Sequence, residues 1–468
     1  MNKAKTILSV ALLALMGQAA QAASDEKNYL SVDPFYIEPG EVVTVNLNLV
    51  NEEAVCAYQT DLVLPEGIKV NVKKIPGTSV VLETGISIVT DRSYGYELHT
   101  ISSSEQKDGC MRILCYSDQN VCYTGNNGAV ATISLIADTD IEAGVYEFGL
   151  KNSEVTFESK ELYNPWAYTT SIAVGTYAEG ILTLAGEYTT ETVEVLNKAL
   201  AEKDDIMIVD MTSVRVFEGA VEVTNNPNTV IYTSEEIGIT NENNVVVDGT
   251  CNSLILTDGY PFTTTCDFTV VNGVYNRTLS IGKYGTVVLP FEIDEATKAA
   301  YEFYTFKAQD EDYLQFEVVE NPTVGTPYLF INKGEMAAGG FVAVGGQVST
   351  KLNEPIVTDG WQMKATYSPI SITDAAVLDK TYYISDNKVK NATKSLSINP
   401  MRAYIEGPAY SELFTSSVNA LGIRLEGTTN IISHKNIDEE GGMYDLFGRK
   451  IDSPKGVYIV DGKKYYKY

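Results

Sequence analysis

The sequence predicts a mainly β chain built of several modules, and three observations carry that reading. Thirty tyrosines stand against two tryptophans, with many Thr, Val and Ile among them, the residue types that fill pleated and half-buried surfaces. Apolar and polar residues alternate with a period of two through successive stretches, the signature of a strand with one face inward. Turn residues interrupt those stretches at roughly the 8 to 12 residue spacing expected of sandwich folds. At 468 residues the chain has length for about three domains, each able to bury a core of its own.

Residues 29–180 read as a β-sandwich. Val43, Val45, Leu47 and Leu49 alternate with Thr44, Asn46 and Asn48, which places one apolar face inward and one polar face out. Tyr58 to Leu64 ends at the turn Pro65-Glu66-Gly67. Met111 to Tyr116, Ala129 to Ile136 and Val145 to Leu150 complete the set. Three pieces of this stretch resemble a cohesin domain: Glu38-Pro39-Gly40-Glu41-Val42-Val43-Thr44-Val45; Leu62 to Val70; and Ala131 to Leu135 running through Ala143-Gly144-Val145-Tyr146 to Val155-Thr156-Phe157. The resemblance implies the β-sandwich that anchors enzyme modules in cellulose-degrading assemblies, and with it a dockerin-type partner. Carbohydrate-binding sandwiches share similar frameworks, and a fold does not by itself transmit a function.

The character changes near residue 182. Thr190 is placed to cap a helix with Glu191 in its first turn, and Val193, Leu196 and Leu200 fall on one helical face. Short β runs follow at 206–209, 229–232, 245–247 and 254–256, the last two ahead of Asp248-Gly249 and Asp258-Gly259. Their recurrence predicts stacked rungs over 182–266. With its Asn226-Pro227-Asn228 and Thr257 to Phe262 turns, this segment resembles linker modules of Bacteroidetes surface proteins. Residues 267–425 read again as an all-β domain, with strands at 326–331, 341–344, 381–385 and 403–406 and a short helix capped by Asp294. Its Gly285 to Phe291 run, with Pro327 to Phe330 and Pro400 to Tyr404, resembles a module that recurs near the ends of the same surface proteins. A polar linker is expected over 426–443.

The two ends carry addresses. Lys3 and Lys5 precede the apolar run Ile7 to Met16, and Ala20-Gln21-Ala22 supplies small residues at a cleavage position, so residues 1–22 are expected to be a signal peptide. The run is too short for a permanent membrane helix, and no later segment reaches the ~20 apolar residues a span needs. At the other end, Asp461-Gly462 between alternating apolar residues favours a type I′ turn and a hairpin over 456–468. Tyr444-Asp445-Leu446-Phe447-Gly448-Arg449, then Gly456-Val457-Tyr458-Ile459-Val460, Asp461-Gly462 and Lys463-Lys464 resemble the C-terminal sorting tails of secreted Bacteroidetes proteins. That resemblance implies export or surface attachment through Tyr444, Gly448, Arg449, Gly456, Tyr458, Asp461 and Gly462. The expected location is outside the cell, secreted or at its surface, with outer-membrane association as one form of attachment.

A formal charge of −28 argues against nucleic acid and anionic lipid as partners, because both need clustered Lys and Arg to neutralise phosphate. Six cysteines in an exported chain make disulfides an expectation. The sequence does not fix the pairing; Cys251 and Cys266, flanking a segment of turn signals, form a candidate pair. Paired Cys-x-x-Cys spacing is absent and there are only two histidines, which argues against structural zinc. His99 is expected to pack at the surface and His434 to lie solvated in the linker. The chain shows no Gly-x-Ser-x-Gly and no phosphate-cradling loop, so no catalytic residue and no cofactor is assigned. Acid clusters such as Asp138-Thr139-Asp140 and Asp310-Glu311-Asp312 leave calcium open, although neither has the spacing of a calcium loop.

The ligand-binding candidates are aromatic. Tyr163-Asn164-Pro165-Trp166-Ala167-Tyr168 places Tyr163, Trp166 and Tyr168 on a loop that Pro165 stiffens, a surface on which the apolar faces of sugar rings could stack. The competing reading is that Trp166 is buried against the next domain. Tyr94 and Tyr96 form a second candidate, since period-two spacing in a strand puts both on one face. The function read from the sequence is a non-catalytic cell-surface binding protein that recognises a glycan or a protein through the N-terminal sandwich. A structural or adhesive component of a surface assembly is the second reading. An exported glycoside hydrolase, which would need a pair of carboxylates, is the third.

Overall fold

The computed structural model describes residues 27–234, 237–277, 279–310, 313–334, 340–413, 420–426, 443–445, 456–460 and 463–467. The proposed signal peptide, His434, Gly448, Arg449, Asp461 and Gly462 lie outside the described residues, as does almost all of the expected linker. The chain divides into two compact units, one of residues 1–256 with 262–272 and one of 257–261 with 273–468.

In the first unit the period-two stretches form a sandwich. Its strands are β1 (Tyr29–Val32), β2 (Phe35–Ile37), β3 (Val42–Val50), β4 (Val55–Val63), β5 (Ile68–Val70), β6 (Lys73–Lys74), β7 (Val81–Glu83), β8 (Ile86–Ile88), β9 (Thr100–Glu105), β10 (Met111–Tyr116), β11 (Ala129–Ala137), β12 (Gly144–Phe157), β13 (Leu162–Tyr163), β14 (Trp166–Ala167) and β15 (Thr170–Val174). One sheet runs β14-β1-β3-β11-β5, with β8 also on β11. The facing sheet runs β2-β15-β12-β4-β10-β9, with β13 also on β12. Leu30, Leu47, Leu49, Ile133 and Leu135 from the first sheet pack with Tyr58, Leu62, Ile113, Phe148 and Ile172 from the second in one continuous core. The alternation around Val43 to Leu49 is thereby accounted for: Leu47 and Leu49 are fully buried while Thr44 and Asn46 face solvent.

The sandwich ends at Val174, and β16 (Thr176–Ala178) turns to pair with β17 (Ile181–Tyr188) in another sheet. Helix α1 (Thr190–Leu200) follows, with Val193, Leu196 and Leu200 buried along one face. Its start differs from the expected cap. The N-cap is Thr189, which makes no side-chain capping bond, and Glu218 accepts from the Thr190 amide at 3.1 Å in its place. β17 then stacks in parallel on β18 (Ile208–Phe217), β18 on β19 (Val230–Thr233), and β19 on β20 (Val245–Val247). These are the expected rungs, one strand per layer. The parallel order breaks at Asp248-Gly249, both at positive φ, where β20 returns antiparallel as β21 (Thr250–Thr257). β22 (Phe268–Asn276) follows next to β21. Asn226, Asn228 and Asn244 are buried at the rung corners, where Asn244 donates to Pro227 O and Ile255 O and accepts from Ile255 N. That bonding satisfies backbone groups the short strands leave unpaired.

The second unit is also all-β. Its strands are β23 (Tyr284–Val288), β24 (Tyr301–Asp310), β25 (Tyr313–Val319), β26 (Pro327–Asn332), β27 (Phe341–Val344), β28 (Gln347–Val348), β29 (Val357–Thr358), β30 (Trp361–Thr366), β31 (Ile370–Ile372), β32 (Thr381–Ser385), β33 (Lys388–Asn391), β34 (Leu396–Ile398), β35 (Arg402–Glu406) and β36 (Ala420–Glu426). Short helices α2 (Glu295–Ala300), α3 (Ala375–Leu378) and α4 (Tyr410–Leu413) intervene. Ten strands form one sheet in the order β23-β26-β24-β25-β36-β33-β32-β35-β30-β29, over a core of Tyr304, Phe316, Leu329, Trp361, Tyr382 and Ile405. Asp294 caps α2 by accepting from Thr297 N at 2.7 Å, as its position ahead of the helix implies. The tail forms β37 (Met443–Asp445), β38 (Gly456–Val460) and β39 (Lys463–Lys467), with the hairpin register running from Val460↔Lys463 to Gly456↔Lys467. No helix among the described residues is long and apolar enough to cross a membrane.

Candidate binding surface

The aromatic loop bridges the ends of the two sandwich sheets. Tyr163, in β13, pairs with Val155 of β12; Trp166, in β14, pairs in parallel with Tyr29 of β1. Both edges are fixed by the backbone: Trp166 N donates to Asn28 O at 3.0 Å and Tyr168 N to Leu30 O at 3.1 Å. Pro165 between them is buried, so the loop turns on a packed ring. Trp166 is 53 % exposed, Leu162 66 % and Tyr163 37 %, so Trp166 does not seal a domain boundary. Tyr168 is half-buried. It meets Tyr29 edge-on at 5.0 Å and 83°, and Trp166 at 6.4 Å and 58°. Tyr163 rests on the buried Phe157 at 5.7 Å. The exposed rings are thus held by packed neighbours, and Trp166 is inclined at 58° to Tyr168, so these two do not form a coplanar platform.

Tyr94 and Tyr96 occupy a different segment, and the strand expected there is absent. Gly95, at φ +64°, breaks the extended backbone into a short 3-10 turn over Gly95–Glu97, so period-two spacing no longer aligns the two rings. Both remain exposed, at 55 % and 66 %, and the Tyr96 hydroxyl accepts from Ile88 N at 3.3 Å.

The segment ahead of that turn carries a residue the sequence gives no reason to single out. Arg92 is buried with a cage of oxygens around its guanidinium. Its Nε donates to Thr124 O at 2.9 Å, and its terminal nitrogens donate to Gly128 O and Gly125 O at 3.1 Å, to Asn51 Oδ1 at 2.6 Å and to Leu49 O. Burial lowers its pKa below that of a free guanidinium. An ion pair lies on β4 and β10, where Arg112 grips Asp61 through Nε at 2.6 Å and a terminal nitrogen at 2.8 Å. Asn152 adds a bond at 2.8 Å. The Arg112 hydrogen bond holds the Asp61 carboxyl below its ordinary pKa.

His99 is buried, not at the surface. Its ring stacks on Tyr123 at 4.7 Å, its Nε2 lies 3.1 Å from Val121 O, and burial lowers its pKa. Tyr123 in turn donates to Cys115 Sγ at 2.9 Å and packs against Tyr58. The cysteine pairing also corrects the expectation. Cys56 and Cys122 form the disulfide, while Cys251 and Cys266 are free. Cys251 is fully buried with its thiol 3.4 Å from Ser253 O, whereas Cys266 is exposed, so the turn-rich segment between them does not bring the two sulfurs together.

Asp138 and Asp310, from the two acid clusters, are engaged by cations of the chain, Asp138 by Lys69 at 2.8 Å and Asp310 by Arg424. Among the described residues no group of three His, Cys, Asp or Glu is arranged to hold a metal. Of the tail residues, Tyr444, Gly456 and Tyr458 lie on β37 and β38, where Tyr444 pairs with Ile459 and Gly456 with Lys467.

No family model and no curated protein matches the chain. Among solved structures the chain is similar to cohesin modules. The seventh ScaB type I cohesin of Pseudobacteroides cellulosolvens shares 14 % identity over 32 % of this chain and 94 % of its own length, with a TM-score of 0.26. A cohesin module of a Clostridium perfringens family 33 glycoside hydrolase shares 13 % over 32 % and 99 %, at 0.26. The OlpA cohesin in a type I cohesin–dockerin complex of Clostridium thermocellum shares 12 % over 32 % and 99 %, also at 0.26.

Proposed function

We propose that this chain is an exported, non-catalytic binding protein whose N-terminal sandwich docks a protein partner on its aromatic edge. The observation that carries the reading is the exposed patch of Leu162, Tyr163 and Trp166, held on two hydrogen-bonded sheet edges. A large indole fixed in water-facing position is the kind of residue that dominates protein interfaces once a partner covers it. The tilt between Trp166 and its neighbour Tyr168 favours an irregular protein surface over the flat face of a glycan chain, which stacks best on coplanar rings. The leader-like start and the sorting-like tail support a place outside the cell, secreted or attached at the surface in the manner of Bacteroidetes proteins. The non-catalytic reading is supported by how the reactive groups are engaged, with His99 stacked on Tyr123 and Asp61 in the grip of Arg112.

The test is affinity capture with the intact chain and with Trp166→Ala, each checked for an unchanged circular dichroism spectrum. A stoichiometric protein partner retained by the wild type and lost from the variant is the expected result. A dockerin-type module is the first bait, because the sequence pieces at 38–45 and 62–70 resemble cohesin. A glycan array that binds the wild type and not Trp166→Ala would replace protein with glycan as the ligand. A partner held equally by both chains would remove the patch from the account.

A further inference from the structure

We infer that the partner presents to this patch a basic, extended stretch of chain. The inference rests on the patch being a docking surface, and adds the chemistry of what docks. Two turns joined to the aromatic loop carry four exposed glutamates. Glu52 and Glu53 follow β3, and Glu158 and Glu161 lie between β12 and β13. The backbone ties both turns to the aromatic loop. Asn28 accepts from Trp166 N through its carbonyl and from Glu52 N through its side chain, each at 3.0 Å. Glu158 N donates to Ala54 O at 2.9 Å, and Phe157 N to Glu161 O at 3.0 Å. Against these four carboxylates stand Lys27, paired with Glu52 at 2.8 Å, and Lys160, both exposed. The Lys27 pair is open to water, at 68 % and 54 % side-chain exposure, so a competing cation displaces it readily.

An exposed indole rimmed by excess carboxylate suits a lysine or arginine side chain. The ring face attracts the cation and the rim lowers the energy of its approach. The same rim repels phosphate, which sets nucleic acid and anionic lipid against the site. Extended form follows from the edge: β14 is the outermost strand of its sheet, paired on one side only with β1, and an added strand meets an open edge of that kind.

The experiment uses the full chain with Trp361→Phe, leaving Trp166 as the single indole. Trp361 is 1 % exposed and buried in the other unit, so the remaining emission reports the patch alone. The probe is the hexapeptide Lys-Lys-Tyr-Tyr-Lys-Tyr, the sequence of residues 463–468, with Glu-Glu-Tyr-Tyr-Glu-Tyr as its control. The basic peptide is expected to change Trp166 emission saturably and the acidic one not at all. Replacing Glu52, Glu53, Glu158 and Glu161 by Gln is expected to weaken the basic peptide about tenfold, and raising salt from about 50 to 500 mM to weaken it on the wild type but little on the variant. Equal response to both peptides, no saturable response to either, or unchanged affinity in the four-Gln variant overturns the inference. A captured partner lost from Trp166→Ala yet kept by the four-Gln variant leaves the docking surface standing and this charge assignment refuted. A partner kept by both variants refutes the docking surface as well.

Discussion

Removing the Cys56–Cys122 bond tests how the sandwich is held together. The bond joins β4 to the loop between β10 and β11 across 66 residues of sequence. Cross-linking over that separation withdraws about 15 cal/mol/K of chain entropy from the unfolded state, or about 4 kcal/mol at 25 °C in the chain-entropy account. Tyr123 beside it adds native contacts, with its amide donating to Val55 O at 2.8 Å and its hydroxyl to Cys115. The double variant Cys56→Ser/Cys122→Ser is therefore expected to lose about 4 kcal/mol of sandwich stability. Hydrogen exchange of the innermost amides of β4 and β12, which open only with the whole sandwich, measures that loss without interference from the second unit. A loss below about 1 kcal/mol would refute the reasoning, because an entropic cross-link over so long a loop cannot be that weak. Peptide mapping of the oxidised chain must also show Cys56 joined to Cys122, and Cys251 and Cys266 unbonded.

Three further outcomes follow from the geometry. Arg92→Met removes the donor shared by the carbonyls of Leu49, Thr124, Gly125 and Gly128, of which Gly128 O keeps the Leu49 amide, and is expected to cost roughly 2 kcal/mol and to raise hydrogen exchange through residues 124–128; unchanged exchange there would exclude the cage as what holds the loop. Burial depresses the His99 pKa below 6.5, so the fold favours the neutral ring. Stability is full above the unfolded value and falls as pH drops from about 6.5 through the folded pKa, and an equilibrium unfolding series in His99→Gln should lose that slope. In the second unit a Cβ on Gly407 would run into the Trp361 ring, which itself packs at a tilt of 47° against Tyr382 at 4.8 Å. Gly407→Ala is expected to destabilise by about 2 kcal/mol, and a thermal midpoint equal to the wild type's would show that the ring shifts freely.

Much of the fold was legible because burial writes itself into sequence with a fixed period. Leu47 and Leu49 of β3, and Val193, Leu196 and Leu200 of α1, show the two periods where the structure shows the two elements. Asp294 announced α2, since a carboxylate ahead of a helix has one obvious partner, the Thr297 amide. Turn chemistry marked a chain break at Asp248-Gly249 for the same local reason, although the recurrence of short runs predicts another rung there and not the antiparallel return of β21. Long-range pairing left no such mark. Cys56 meets Cys122 because β4 and the loop after β10 are neighbours in the folded sheet, whereas the turn signals between Cys251 and Cys266 point to a local pair. His99 was read as a surface residue because its burial depends on Tyr123, brought over it by the same loop. The Tyr94 and Tyr96 strand failed on one residue, since Gly95 permits the positive φ that ends extended backbone. The Trp166 candidate was visible as a cluster of aromatics. Its exposure, and the acids on the two turns joined to its loop, were not, since both follow from tertiary placement.

The most direct test of the account is the fate of a captured partner when Trp166 is cut back to alanine in an otherwise intact chain. The account predicts a protein, bound one to one by the wild type and released by Trp166→Ala with the sandwich still folded. Retention of that protein at unchanged affinity would contradict it.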